Sequence, residues 1–298
     1  MARANLLDPA AATDDDREAR RPDAIDAAVG RLPSAEDLAF RSIGGINVIG
    51  LWTLYLREVR RFLKVATQTL FAPVVTTLLF LAIFSLALGR AGRVVEGLPF
   101  LEFLAPGLIT MAVIQNAFAN TSSSLIIAKV QGNIVDLLMP PLGPGELTFG
   151  FVAGGVTRGL LVGVVVYLAI LPFVPILPPH PALALFYAAA ASLLLSLLGL
   201  LAGLWAEKFD QMQAVTNFII TPLSFLSGTF YSIEALPEPF LAVAYANPFF
   251  YMIDGMRFAF TGHADASIPL GAAVLVALNA LLWLAVHRLF ARGYRLKS

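Results

Sequence analysis

The side chains able to do chemistry in these 298 residues are few, and their types exclude more than they allow. No cysteine is present, which removes disulfides, thiolate metal sites and cysteine nucleophiles. His180, His263 and His287 are too scattered to build a metal centre. There is no HExxH motif, no Ser/Asp dyad, and no GxxxxGK(S/T) loop to cradle nucleotide phosphates. The expectation is a chain that is no enzyme by itself and binds no cofactor. What remains is a basic cluster (Arg57, Arg60, Arg61, Lys64), a set of Asn, Ser and Thr inside apolar runs, and one charged pair. That pair is Asp254 and Arg257, three residues apart in "NPFFYMIDGMRFAFTG". On a helix they share a face and can pair or reach water.

The elements that must position these groups are set by the bilayer. Charged residues make up 13% of the chain, about half the usual fraction for a soluble domain, and 58% are hydrophobic. A helix needs about 20 apolar residues to cross the hydrocarbon. Six stretches qualify: 66–89, 103–127, 154–177, 181–205, 212–231 and 268–290. The fold class expected is all-α, a polytopic membrane protein. Lys and Arg concentrate on cytoplasmic flanks. With the N-terminus inside, eleven basic residues from Arg57 to Lys297, Arg158 among them, fall on that side, against Arg90, Arg93 and Arg257 on the other. Both termini are then cytoplasmic, in an even number of spans. Residues 247–262 are too short and too centrally charged for a seventh span, which would also carry the basic C-terminus across. They read as a helix on the outer surface, with Pro248 at the first helical position.

Several pieces carry two readings each. Residues 1–44, rich in Ala, Asp and Arg, are expected to be a disordered cytosolic tail. The stretch "NVIGLWTLYLREVRRFLKV" forms an amphipathic helix on the inner leaflet, with Val48, Trp52, Tyr55, Val59 and Phe62 on one face and Arg57, Arg61 and Lys64 on another. It is either a topological anchor or a surface for a cytosolic partner. A short helix from about Lys129 to Met139, stopped by Pro140-Pro141 and Gly143-Pro144-Gly145, is either an ordinary loop or a receiver of force. Gly150/Gly154, Gly155/Gly159 and Gly159/Gly163 allow close helix packing, within the bundle or between subunits. Arg158 is expected to snorkel to the inner interface, or else to pair with Asp136, Glu207 or Asp210. Asn116, Asn120, Thr121, Thr216, Asn217 and Thr221 either line a path or bond between helices. No span carries Asp, Glu, Lys or His near its midpoint, which disfavours a proton-coupled carrier.

Six ordered blocks resemble one family. They are the basic amphipathic helix, "FLAPGLITMAV", "AKVQGNIVDLLMPPLGPGEL", "TPLSFLSGTFYSIEALPE", "YANPFFYMIDGMRFAFTG" and the span pattern joining them. Together they resemble the membrane subunit of bacterial ABC-2 type exporters, most of all the YadH-like branch, related to permeases for drugs, lipo-oligosaccharides and cell-surface polysaccharides. The likeness covers about residues 45–298, the expected transmembrane domain. It implies a homodimeric permease in the inner membrane, joined to two copies of a separate ABC ATP-binding subunit that carries ATP and Mg2+, with no nucleic acid involved. By that likeness Arg57, Arg60, Arg61 and Lys64 lie on an interface helix beside the ATPase. Lys129, Gln131, Asn133 and Asp136 lie on the coupling helix it pushes. Spans one, two and five line the path between protomers, Ile233 to about Thr261 form a re-entrant helical hairpin at the outer surface with 247–262 as its second arm, and Asp254 and Arg257 belong to the outer gate. The alternative is a stand-alone secondary carrier or channel.

Overall fold

The computed structural model describes residues 45–88, 94–95, 97–134, 136, 140–233 and 236–295. The tail expected over 1–44 lies outside the described residues. Ile46–Ser298 form one compact unit, and it is helical apart from a two-residue hairpin, Val94–Val95 (β1) against Leu98–Pro99 (β2). Among the described residues, five helices are long and apolar enough to cross a membrane: Thr67–Ala87, Phe100–Val130, Pro144–Ile170, Pro181–Trp205 and Ile268–Ala291.

The chain enters through α1 (Val48–Leu63), whose N-cap Asn47 accepts a hydrogen bond from the Gly50 N–H at 2.9 Å. The buried stripe of α1 is Leu54, Glu58 and Phe62, at four-residue spacing, while Val48 and Trp52 are 67% and 58% exposed. This corrects the expected apolar face: the helix turns a carboxylate inward. A π-helical turn, Thr67–Phe71, leads into α2 (Ala72–Leu88). The central helix is α3 (Phe100–Val130), packed along α4 (Pro144–Ile170) and α5 (Pro181–Trp205).

The glycine spacings in α4 serve packing inside this chain. A Cβ at Gly150 would meet Leu54 of α1, and one at Gly154 would lie 2.5 Å from the Glu58 Cβ. Gly159 faces Ser192 of α5, and Gly163 faces Val113 of α3. On α5, Gly199 brings its backbone against the Thr121 hydroxyl and the Phe118 carbonyl, so the two helices approach closely. The Thr121 hydroxyl donates to Ser196 O at 2.8 Å across that contact.

Two expected spans differ from what the structure shows. The third starts at Pro144, ten residues before the expected position, and ends at Ile170. Gly143-Pro144-Gly145 is therefore a helix start. Pro144 sits at the first helical position, and the Glu146 carboxylate accepts the Gly143 N–H at 2.5 Å. The fifth is a chain of short pieces, α6 (Phe209–Val215), a π-helical turn (Thr216–Ile220) and α7 (Thr221–Phe225), which stops at Phe225 rather than Tyr231. Two helices follow, α8 (Glu238–Ala246) and α9 (Pro248–Thr261), and then α10 (Ile268–Ala291). The Asn247 side chain caps α9 by accepting the Phe249 N–H at 3.0 Å, and Gly262, at φ 75°, ends it. The short helix expected near 129–139 falls partly on residues 135 and 137–139, outside the described residues; Ile134 and Asp136 are helical.

Candidate functional site

The contacts sort the bundle into two ends. The first holds α1, the C-termini of α3, α5 and α10, and the N-terminus of α4. The second holds the β-hairpin and α9. A cavity of about 650 Å³ runs from near the first end past the middle, between the π-helical turn and α2 on one wall and α3 and Arg158 of α4 on the other. Its polar lining includes Gln68, Thr76, Gln115, Asn116, Arg61 and Arg158; its apolar lining comes from residues such as Val65, Phe80, Leu108 and Met111.

Arg158 is the fifteenth of the 27 residues in α4, roughly 21 Å along the axis from Pro144. Asn116 is the seventeenth of 31 in α3. The two meet at mid-depth, where Arg158 Nη2 donates to Asn116 Oδ1 at 3.0 Å. This overturns the expectation that Arg158 snorkels to an interface or pairs with Asp136, Glu207 or Asp210. Among the described residues, no carboxylate pairs with it.

Arg61 stands one level nearer the first end, and its environment is fuller. Its guanidinium bonds Glu58 Oε2 at 3.0 Å, Asn120 O at 2.6 Å, Asn120 Oδ1 at 3.1 Å and Ser123 Oγ at 2.9 Å. Glu58 is 0% exposed and also accepts the Ser124 hydroxyl at 2.7 Å. This buried acid is the residue that sequence reasoning missed. The signal was there in Leu54, Glu58 and Phe62 at four-residue spacing, with Arg61 one turn beyond the acid.

Toward the second end, aromatic rings fill the layer beyond the cavity. Phe80 faces Phe225 and Phe230, with ring centres 6.4 and 5.5 Å away, and Phe84 stacks on Phe230 at 5.0 Å. Phe80 thus belongs to both the cavity wall and its closure.

The expected path residues divide. Asn116 lines the cavity and Asn120 anchors Arg61, but Thr121 is used in α3–α5 packing. Thr216 bonds Met212 O within its own helix, Asn217 is exposed, and Thr221 is half-buried; none of the three lines this cavity. Of the residues expected to contact an ATPase, Arg57, Arg60 and Lys64 are exposed and share a surface groove with Arg61. Gln131, Asn133 and Asp136 are also exposed. The Lys129 ammonium instead caps α5, donating to Leu204 O at 2.5 Å and Ala206 O at 3.1 Å.

Asp254 and Arg257, expected to pair or to reach water, are 2% and 0% exposed. Arg257 lies over the Phe103 ring at 3.9 Å, donates to Gly228 O at 2.6 Å, and stands 3.8 Å from Asp265 Oδ2. Asp254 accepts the N–H groups of Asp265 at 2.8 Å and Ala266 at 3.1 Å. Burial pushes its carboxyl up to about 6, while those N–H donors and Arg257 pull it back down. The pair holds α9 against the turns on either side of it.

A cavity that places two guanidinium groups among amide and apolar side chains, inside an apolar helical bundle, suits a protein that moves a molecule across a membrane. Residues 50–261 match the family model described as ABC-2 type transporter. This chain belongs to the ABC-2 type transporter family. It is 37% identical over 250 residues to the inner membrane transport permease YadH of Escherichia coli (strain K12), covering 84% of this chain and 98% of the relative. It is 26% identical over 239 residues to nodulation protein J of Rhizobium leguminosarum bv. viciae, covering 78% and 89%. To nodulation protein J of Rhizobium meliloti (strain 1021) it is 26% identical over 219 residues, covering 72% and 80%. As an ABC-2 type permease the chain works in a membrane and associates with an ATP-binding subunit. The matched region begins inside α1 and ends with α9, so it contains the cavity, Glu58, Arg61, Arg158, Asp254 and Arg257, while Asp265 lies just beyond it.

Proposed function

We propose that this chain is the membrane-spanning subunit of an ATP-driven exporter of the bacterial inner membrane. Two copies form the transmembrane unit, and two copies of a separate ABC ATPase, holding ATP and Mg2+, supply the energy. In this reading Phe209–Phe225 is a further crossing, which makes six, and α8 and α9 form a re-entrant hairpin. Both termini are cytoplasmic, because the end bearing α1 also bears Arg57, Arg60, Lys64, Lys129, Lys208, Arg288, Arg292 and Arg295. The cargo is a drug-like, lipid-linked or saccharide molecule, moved outward.

The observation that carries this reading is the cavity: it sets the guanidinium groups of Arg61 and Arg158 among amide and apolar side chains inside the bundle, with a layer of aromatic rings beyond Phe80. That arrangement suits a substrate admitted from the cytoplasmic side. Outward release requires the Phe80, Phe84, Phe225 and Phe230 layer to part, and the chain has no nucleotide-binding loop of its own to drive it.

A stand-alone carrier is the second reading, favoured by one observation: Arg158 is an ionisable group at mid-depth, which an anion-coupled carrier would need. Reconstitution into proteoliposomes separates the two. Export should require the soluble P-loop ATPase that purifies with the chain, together with ATP. Transport by the chain alone, driven by an ion gradient, would refute the exporter reading.

A further inference from the structure

We infer that the Arg158 guanidinium, held by Asn116 in the mid-depth cavity, binds the anionic group of an amphipathic substrate. The inference rests on reading the cavity as the substrate path, and it names the chemical class that path selects. A guanidinium presents five N–H donors in a rigid fork suited to phosphate, sulfate or carboxylate oxygens. Among the described residues Arg158 uses one bond, to Asn116 Oδ1, and its Nε is buried without a partner. The second cation in the cavity, Arg61, has its charge met by Glu58; no carboxylate is among the residues lining the cavity. An ionisable group in this position is expensive unless something of opposite sign meets it. The Asn116 carbonyl orients the fork without neutralising it, so the positive charge stays available to a ligand.

The rest of the wall indicates what carries the anion. Val65, Pro73, Phe80, Leu108, Met111 and Ile127 are apolar and continuous with the guanidinium's surroundings. A small hydrated anion would leave this surface in contact with water. A molecule with an anionic head and an apolar body covers it and takes the charge together.

The test uses the full chain in phosphatidylcholine nanodiscs, with no ATPase present. Dodecyl phosphate is the probe, with dodecyl maltoside as the uncharged control and inorganic phosphate as the headgroup alone. Dodecyl phosphate should bind saturably and at least about tenfold more tightly than either control. Arg158→Gln should weaken it about tenfold, while Arg158→Lys retains most of the affinity. Asn116→Asp, which keeps the cation but places a carboxylate beside it, should weaken it as much as Arg158→Gln, and decides the matter if that variant does not fold. Equal binding of phosphate and maltoside amphiphiles, or binding indifferent to both substitutions, would overturn the assignment. Inorganic phosphate binding as tightly as the amphiphile would overturn the amphipathic class. Loss of probe binding in phosphatidylglycerol nanodiscs would reassign the site to a resident lipid and overturn its substrate role. Neither ATP hydrolysis nor transport is read, so failure here leaves the exporter reading standing; that reading falls only on the proteoliposome experiment.

Discussion

Replacing Glu58 by alanine tests whether α1 is fastened to the bundle by charge or only by packing. Glu58 is wholly buried, with Ser124 Oγ at 2.7 Å and the Arg61 guanidinium at 3.0 Å. Removing one partner of a fully buried pair costs about 3–5 kcal/mol. The Arg61 side chain is 25% exposed and keeps Asn120 and Ser123 as partners, so its charge is not stranded. That brings the ion-pair loss to about 2 kcal/mol, and the orphaned Ser124 hydroxyl adds about 1 kcal/mol. Glu58→Ala should therefore destabilise by about 3 kcal/mol, and Glu58→Gln, which keeps the shape and an acceptor, by about 1 kcal/mol. The assay is denaturant unfolding of the purified protein in detergent, run as a cycle of Glu58→Ala, Arg61→Ala and the double variant. The coupling energy should reach about 1–2 kcal/mol. If the two substitutions add to within about 0.5 kcal/mol, the charges are not acting as a pair and the argument fails.

Gly199→Ala should destabilise by about 1–3 kcal/mol in the same assay, because its Cβ would sit 2.6 Å from the Phe118 carbonyl oxygen, a backbone atom that cannot turn away. An unchanged unfolding midpoint would show that the α3–α5 contact is looser than it looks. Asp254 makes stability depend on pH. Its carboxyl sits at about 6 when folded, above the ordinary 3.8 of an aspartate, so its contribution falls as pH rises between the two and is level outside that window. Melting temperatures across that range should show the fall in the natural protein and lose it in Asp254→Asn; a slope of opposite sign would refute the assignment. Charge reversal of Arg57, Arg60 and Lys64 together should abolish co-purification of the ATPase while leaving membrane insertion intact, and wild-type recovery of the ATPase would remove these residues from the interface.

Much of the bundle was legible because bilayer thickness writes itself into apolar run length. The spans expected over 181–205 and 268–290 coincide almost residue for residue with Pro181–Trp205 and Ile268–Ala291. The third span was misplaced for a physical reason. Gly143-Pro144-Gly145 contains the residues that stop helices, but proline at the first helical position with glutamate two residues on also starts them. That shift hid the most informative side chain, since an arginine near a helix end snorkels while one at the centre needs a partner. Asn116, Asn120 and the basic cluster were found by type. Their pairing with Arg158 and Arg61 depends on how α1 and α4 lie against α3, and no local spacing encodes it. Asp254 and Arg257, three apart on one helix face, were expected to pair or reach water; here backbone groups of neighbouring turns take up both.

Glu146 carries a consequence for motion. Its carboxylate accepts the Gly143 N–H through one oxygen and the Asn47 N–H through the other, so the starts of α4 and α1 share a single rivet. Leu54 and Glu58 pressed against Gly150 and Gly154 extend the joint by two more helical turns. These two helices therefore tilt as one lever. A displacement of either helix start would carry Arg61 and Arg158, both lining the cavity, together. Cutting the rivet with Glu146→Gln would leave each helix to answer separately.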